Sequence, residues 1–290
     1  DSLVNGAWIS GFFGSGKSHL LKILSYVLEN REHDGMYLGK LFSEKIVHDQ
    51  MLRADVERAI QIPSDSILFN IDQQAQITSK KEDDAVLHVF YKVFYDYLGF
   101  FGSQRHVAEF ELWLTEEDKY QVFKQAYEQE ANESWQEGRR KYFVPKTKRA
   151  VAKVLAQLMG GNADEYTNIM DDLQKNHSIS PDDFGQRVAK YIKSKGKDFR
   201  LNFFVDEVGQ FIADNTKLML SLQTIAETLA TKCEGRSWIL VTSQEDLGMV
   251  VGDDTKSQSD DFSKIQGRFR ARIPLTSANV DEVIEKRLLA

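Results

Sequence analysis

Gly11, Gly16, Lys17 and Ser18 stand at the spacing G-x-x-x-x-G-K-S within Trp8-Ile9-Ser10-Gly11-Phe12-Phe13-Gly14-Ser15-Gly16-Lys17-Ser18. This pattern suits a polyphosphate. Glycines let the backbone curl so that successive N–H groups point inward, and a helix N-terminus just after the loop adds partial positive charge. The Lys17 ammonium can then reach the β- and γ-phosphates of a nucleoside triphosphate, and the Ser18 hydroxyl can ligate Mg²⁺. Gly11, Phe12, Phe13, Gly14, Ser15, Gly16, Lys17, Ser18 and His19 are the expected nucleotide contacts. A glycine-rich turn without a ligand is the alternative. The flanks favour the loop: Ala7-Trp8-Ile9 is strand-like, and residues 19–28 carry helical periodicity.

Hydrolysis needs two further groups, a carboxylate for the Mg²⁺ shell and a base to polarise water. Leu201-Asn202-Phe203-Phe204-Val205-Asp206-Glu207 supplies both, with Asp206 on the metal side and Glu207 as the base. Asp72, at the end of Ile67-Leu68-Phe69-Asn70-Ile71-Asp72, is a rival metal carboxylate, but Gln73 follows it where a base is needed. Thr242, Ser243 and Gln244 follow the apolar run that begins at Trp238, and ligands of open α/β sheets bind at such strand ends. Ser243 is taken as the residue that senses the γ-phosphate or orients the water; a plain strand-end hydrogen bond is the alternative. Arg268, Arg270 and Arg272 share one side of a last strand-like segment, which predicts an edge strand. Arg268 is the first candidate for an arginine finger acting on a neighbouring subunit's nucleotide.

Elements that could position these groups are legible as apolar runs. Strands are expected at Gly6–Ser10, Ile67–Asp72, Leu201–Asp206, Trp238–Thr242 and Ala271–Leu275, with helical crossovers between them. The implied fold is α/β, a parallel sheet flanked by helices. Between the second and third strands lies a helical stretch. Helices are predicted at 85–101, 116–137, 146–159, 164–174 and from Pro181 to about Ser194. The expected organisation is a core half over 1–75, a helical insertion over 76–200, the second core half over 201–278 and the start of a lid over 279–290. The aromatics of 85–101 read as packing, and Arg139, Arg140, Lys141, Lys146, Lys148 and Arg149 as a solvated helix end or a contact for DNA or an acidic partner.

Composition sets outer bounds. The 290 residues are 42% hydrophobic and 28% charged, values of a soluble globular protein. A net charge of −7 argues against a globally basic nucleic-acid binder. No apolar run approaches the roughly 20 residues that cross a bilayer. One cysteine, Cys233, gives no disulfide framework and suits a reducing compartment. With Asp at position 1 and an apparent helix running to Ala290, the chain is expected to be a piece of a longer protein.

The order of phosphate loop, second strand, Asp-Glu strand, polar strand end and Gly267-Arg268-Phe269 resembles the AAA+ ATPase superfamily. The stretches 8–22, 67–72 and Phe204-Val205-Asp206-Glu207-Val208-Gly209-Gln210 resemble more closely the large P-loop ATPase of bacterial BREX phage-defence systems, the BrxC/PglY family. That resemblance implies a cytoplasmic, Mg²⁺-dependent ATPase that forms a homo-oligomer and works with other BREX proteins against phage DNA. A direct contact with DNA is left open, and no membrane is involved. The polar residue after the fourth strand departs from the asparagine common in AAA+ proteins. Two other classes compete. One is a nucleotide-gated scaffold or regulatory module of the STAND or ORC-like kind, with little hydrolysis. The other is a small-molecule kinase, for which no acceptor motif is present.

Overall fold

Uninterrupted apolar character is what a strand needs when both of its faces are covered, and β1 (Gly6–Gly11) is buried from Gly6 to Ser10. The computed structural model describes residues 4–75, 84–176, 180–212, 215–244 and 267–275. After β1 come α1 (Lys17–Glu29), β2 (Glu32–His33), β3 (Met36–Tyr37), α2 (Leu38–Glu44), α3 (Gln50–Ala59), β4 (Ser64–Asn70), α4 (Ile71–Ala75) and α5 (Ala85–Tyr97). A helical series follows: α6 (Arg105–Glu116), α7 (Tyr120–Ala131), α8 (Trp135–Gly138), a 3₁₀ turn (Arg139–Lys141), α9 (Pro145–Met159), α10 (Ala163–Tyr166) and α11 (Ile169–Asn176). The chain then forms α12 (Pro181–Lys195), β5 (Arg200–Asp206), α13 (Val208–Ile212), α14 (Thr216–Lys232), β6 (Ser237–Ser243) and β7 (Ala271–Leu275).

Five of the strands make one parallel sheet in the order β4-β5-β6-β1-β7. The fold is therefore α/β, with helices flanking a parallel sheet and a helical series between β4 and β5. The chain separates into two compact units, residues 1–89 with 180–290, and residues 90–179. The insertion expected over 76–200 includes the helix expected from Pro181 to about Ser194. Instead α12 belongs to the first unit, where it packs along α14 through its buried Phe184, Val188 and Ile192.

Local signals explain several helix starts. Asp49 caps α3 by accepting the Leu52 N–H, Ser180 caps α12 at Asp183 with Pro181 behind it, and Asn215 caps α14 at Lys217 and Leu218. The strand expected at 67–72 runs instead from Ser64 to Asn70, so Asp72 sits in the first turn of α4. The helix expected over 116–137 is broken where Asn132 turns left-handed at φ 56°, and the one expected over 164–174 is two short helices. The lid expected at 279–290 lies outside the described residues.

In the first unit, Ala7, Ile9, Leu21, Phe204 and Leu240 form a core between α1 and the sheet. Among the described residues β7 is an edge, as its arginines lead one to expect: it pairs with β1 on one side, and 270–274 are exposed. Phe269 alone turns inward and meets Trp8 edge-to-face at 5.8 Å. The lone Cys233 is buried at the end of α14, and burial pushes its thiol up to about 12.

The second unit has its own core of Val107, Phe110, Leu114, Phe123, Tyr127, Trp135 and neighbours. The rings of Phe110, Phe123, Tyr127 and Trp135 meet at 5.1–6.1 Å, mostly edge-on or tilted, a geometry worth about 0.5–1.5 kcal/mol per pair beyond area burial. Five of the six aromatics read from sequence as packing (Phe90, Tyr91, Phe94, Tyr95 and Phe100) are buried. Glu111 is fully buried among them. It accepts from Phe101 N–H at 2.6 Å, Trp135 Nε1 at 2.7 Å, Tyr120 OH at 2.9 Å and Arg139 at 3.1 Å. A buried carboxylate is tolerable only with such a complete donor shell. Glu111→Ala strands a guanidinium, an indole and a phenol at once, and is expected to cost about 3 kcal/mol or more. Urea unfolding of the wild type and variant measures it.

Candidate functional site

The backbone must leave β1 and enter α1 within five residues. Gly16 makes this possible: it is the N-cap of α1 at φ 88°, a left-handed conformation that costs a side chain about 1–2 kcal/mol. The tip closes through Ser15 N–H to the Phe12 carbonyl at 3.2 Å. No side chain caps α1 and no acid lies in its first turn, so its open N–H groups keep their partial positive charge. Lys17 folds back over the loop, donating to the carbonyls of Gly11 at 2.7 Å and Phe12 at 2.9 Å. Burial lowers its pKa below the ordinary lysine value, and the negative charges of Asp206 and Glu207 oppose that shift.

A cavity of about 350 Å³ opens outside the carboxyl ends of the parallel strands. Phe13, Gly14, Gly16, Lys17, Ser18 and His19 line one side of it. The other side is Asp206 and Glu207 at the end of β5, Gln210 of α13, and Thr242, Ser243 and Gln244 at the end of β6. The structure thus brings together most of the expected contacts. Gly11, Phe12 and Ser15 do not line the cavity: Ser15 is buried against Gly11, and Phe12 is exposed. Asp72 is absent from the lining as well.

Beyond β5 the chain turns sharply. Glu207 adopts φ 62°, a strained value for a residue with a side chain. Two groups hold it there. Its N–H donates to Thr242 Oγ1 at 2.9 Å, and its carboxylate accepts from Asn70 Nδ2 at 2.5 Å. The Thr242 hydroxyl in turn donates to Asp206 Oδ1. Asn70 ends β4 directly opposite Asp206, and its own Oδ1 accepts Gln73 N–H at 3.0 Å, which turns the amide nitrogen toward Glu207.

Ser243 is the strand-end residue that the sequence favours as the sensor. It does line the cavity, yet its side chain lies hard against Gly209, where an added Cβ would fall 1.9 Å from Oγ. Thr242 and Asn70 contact the acidic pair directly. Asn70 carried no sequence signal of its own beyond its place before Asp72. Arg268 is away from the cavity lining and pairs with Glu227 of α14 at 2.9 Å, with its side chain 16% exposed.

The cavity can accept an anion on the loop side and a cation on the acidic side. Among the described residues no cluster of three or more His, Cys, Asp or Glu could hold a metal alone. A cation here would rest on Asp206 and the Ser18 hydroxyl, with the remaining ligands from phosphate and water, the pattern Mg²⁺ favours. No model of a known protein family matches the chain, and no solved structure matches it significantly.

Thr242→Val keeps the shape of the side chain and removes its hydroxyl. Glu207 N–H and Asp206 each lose a partner, so a loss of about 1–3 kcal/mol is expected in urea unfolding. An unchanged midpoint would mean that the turn after β5 holds itself.

Proposed function

We propose that the chain binds ATP with Mg²⁺ and hydrolyses it, as the AAA+-type P-loop domain of a bacterial BREX defence ATPase. The observation that carries the catalytic reading is the convergence of Lys17, Ser18, Asp206 and Glu207 on one cavity. Sheet order adds support. The chain crosses from β1 to β4, returns through β5 and β6 to the side of β1, then passes to β7 on its other side. Ligands of open α/β sheets sit outside the carboxyl ends where the winding reverses in this way.

The roles follow from position. The loop N–H groups and Lys17 hold the β- and γ-phosphates, which requires Lys17 to leave the carbonyls of Gly11 and Phe12. Ser18 and Asp206 hold Mg²⁺, which would supply charge neutralisation on the phosphate oxygens. Glu207 takes the proton of the attacking water, and Thr242 fixes Glu207 against Asp206. The BREX assignment rests on the resemblance of residues 8–22, 67–72 and 204–210. With it come the proposals of a cytoplasmic setting, a homo-oligomer, BREX protein partners and action on DNA. Among the described residues no helix is long and apolar enough to cross a membrane.

One observation favours the scaffold reading. Asn70 donates to one oxygen of the Glu207 carboxylate, which stabilises its charged form and weakens it as a base. In a nucleotide-gated scaffold that contact persists with ATP bound, and turnover stays negligible.

Lys17→Ala is expected to abolish tight binding of a fluorescent ATP analogue, because a point charge on the phosphates is lost. Glu207→Gln should bind as wild type and release phosphate at least about 10²-fold more slowly. Wild-type protein that binds ATP and releases no more phosphate than Glu207→Gln would be the scaffold.

An arginine finger at Arg268 would have to break its pair with Glu227 on assembly. Loss of a finger costs on the order of 10³ in turnover, far more than a partly exposed ion pair contributes to stability. Mixing Arg268→Ala with Lys17→Ala subunits should then restore part of the hydrolysis. A turnover loss under about fivefold for Arg268→Ala alone assigns the residue to anchoring α14.

A further inference from the structure

A second cavity, of about 160 Å³, lies at the opposite, amino-terminal ends of the same strands. The row Ser66–Asn202–Trp238 runs across β4, β5 and β6 in register. Ser66 closes on the Ser25 carbonyl of α1 at 3.0 Å. Its neighbour in the row does not close. Asn202 is 5% exposed, faces this cavity, and its amide has no hydrogen-bond partner among the described residues. Half-buried Trp238 and Arg200 line the same space, and their side chains too have no hydrogen-bond partner among the described residues. The Asn202 amide opens onto the cavity, so its hydrogen-bonding groups are available to whatever fills that space.

The chemistry of the lining narrows the ligand. Guanidinium and indole are donors only, and the amide adds two N–H groups beside its single carbonyl acceptor, so donors predominate. No acidic side chain lines the cavity. The site therefore asks for an acceptor-rich, negatively charged group, and a guanidinium fork fits a carboxylate in two-point contact. The remaining wall is Ala7, Leu28, Ala59, Ile62 and Leu240 with Ser64, whose hydroxyl is already spent on the Leu28 carbonyl at 2.7 Å. A void of roughly 150 Å³ takes one six-membered ring. We propose that this cavity binds a small ring-bearing carboxylate, its ring against Trp238 and the aliphatic wall and its carboxylate on Arg200 and Asn202. The proposal is independent of the nucleotide reading, since it uses none of the residues of the carboxyl-end cavity.

Benzoate is the probe, titrated into the ¹⁵N-tryptophan-labelled chain, with benzamide as its neutral counterpart. The Trp238 indole resonance, assigned by Trp238→Phe, should shift saturably with a Kd of millimolar or tighter, as suits a ligand of this size. Benzamide and Arg200→Gln should each weaken binding at least tenfold. Asn202→Leu should abolish the benzoate response without lowering Tm, because the amide it removes has no partner. No saturable shift at Trp238, equal binding of benzamide, or undiminished binding by Arg200→Gln would overturn the proposal. A lowered Tm for Asn202→Leu with benzoate binding intact would overturn it as well, by making Asn202 a structural residue.

Discussion

The Thr242 hydroxyl has one proton and must satisfy two neighbours of opposite demand. It donates to Asp206 and accepts from Glu207 N–H, and Thr242 itself is fully buried on β6. This arrangement fixes the relation between β5 and β6 at their carboxyl ends. It also holds Glu207 in its left-handed backbone conformation, which would otherwise relax at a gain of about 1 kcal/mol or more. Without that turn the two consecutive carboxylates would follow the strand's alternation and face opposite sides of the sheet. The hydroxyl thus lets two adjacent acids serve one cavity.

Strain of this kind persists only where the surroundings over-determine it. Here the surroundings are three strand ends in register, with Asn70 opposite Asp206 on one side and β6 on the other. Gly209 belongs to the same constraint. Its missing side chain lets α13 start against Ser243, so the chain can leave the turn without lifting off the sheet. Ser243 thereby acts as packing at the rim, and Thr242, one residue earlier and on the other face, supplies the polar contact.

What was legible in the sequence was what is local in the chain. The loop from Gly11 to Ser18 and the Asp206–Glu207 pair are contiguous, and β1, β4, β5 and β6 each hold a short apolar run while the arginines mark β7 as an edge, so local pattern located them. Asn70 and Thr242 depend on register between strands far apart in sequence, which a one-dimensional pattern does not carry. Some misses had a signal. Asp34 and Gly35, at φ 51° and 77°, form the two-residue turn of the β2–β3 hairpin, and an Asp-Gly pair is the ordinary mark of that turn. The breaks at Asn132 and near Thr167 each hinge on one or two residues inside otherwise helical composition, and propensity summed over a window passes over them.

The basic stretch of the second unit shows the same limit for charge. Six cations within eleven residues read as one positive surface, yet three of them are engaged within the unit. Arg139 reaches the buried Glu111 at 3.1 Å, Lys141 meets Glu133 at 3.0 Å and Lys148 meets Asp171 at 2.6 Å. Arg140, Lys146 and Arg149 are left exposed, around an exposed Phe143. The field of a surface is set by charges that are not already neutralised at contact distance. Any acidic partner of this unit therefore meets three cations and a ring, and the other three cations serve the folding of the unit. Paired charges of that sort are costly to withdraw when one partner is buried, as Glu111 is, so Arg139 cannot be spared for a polyanion without leaving a carboxylate alone in the core.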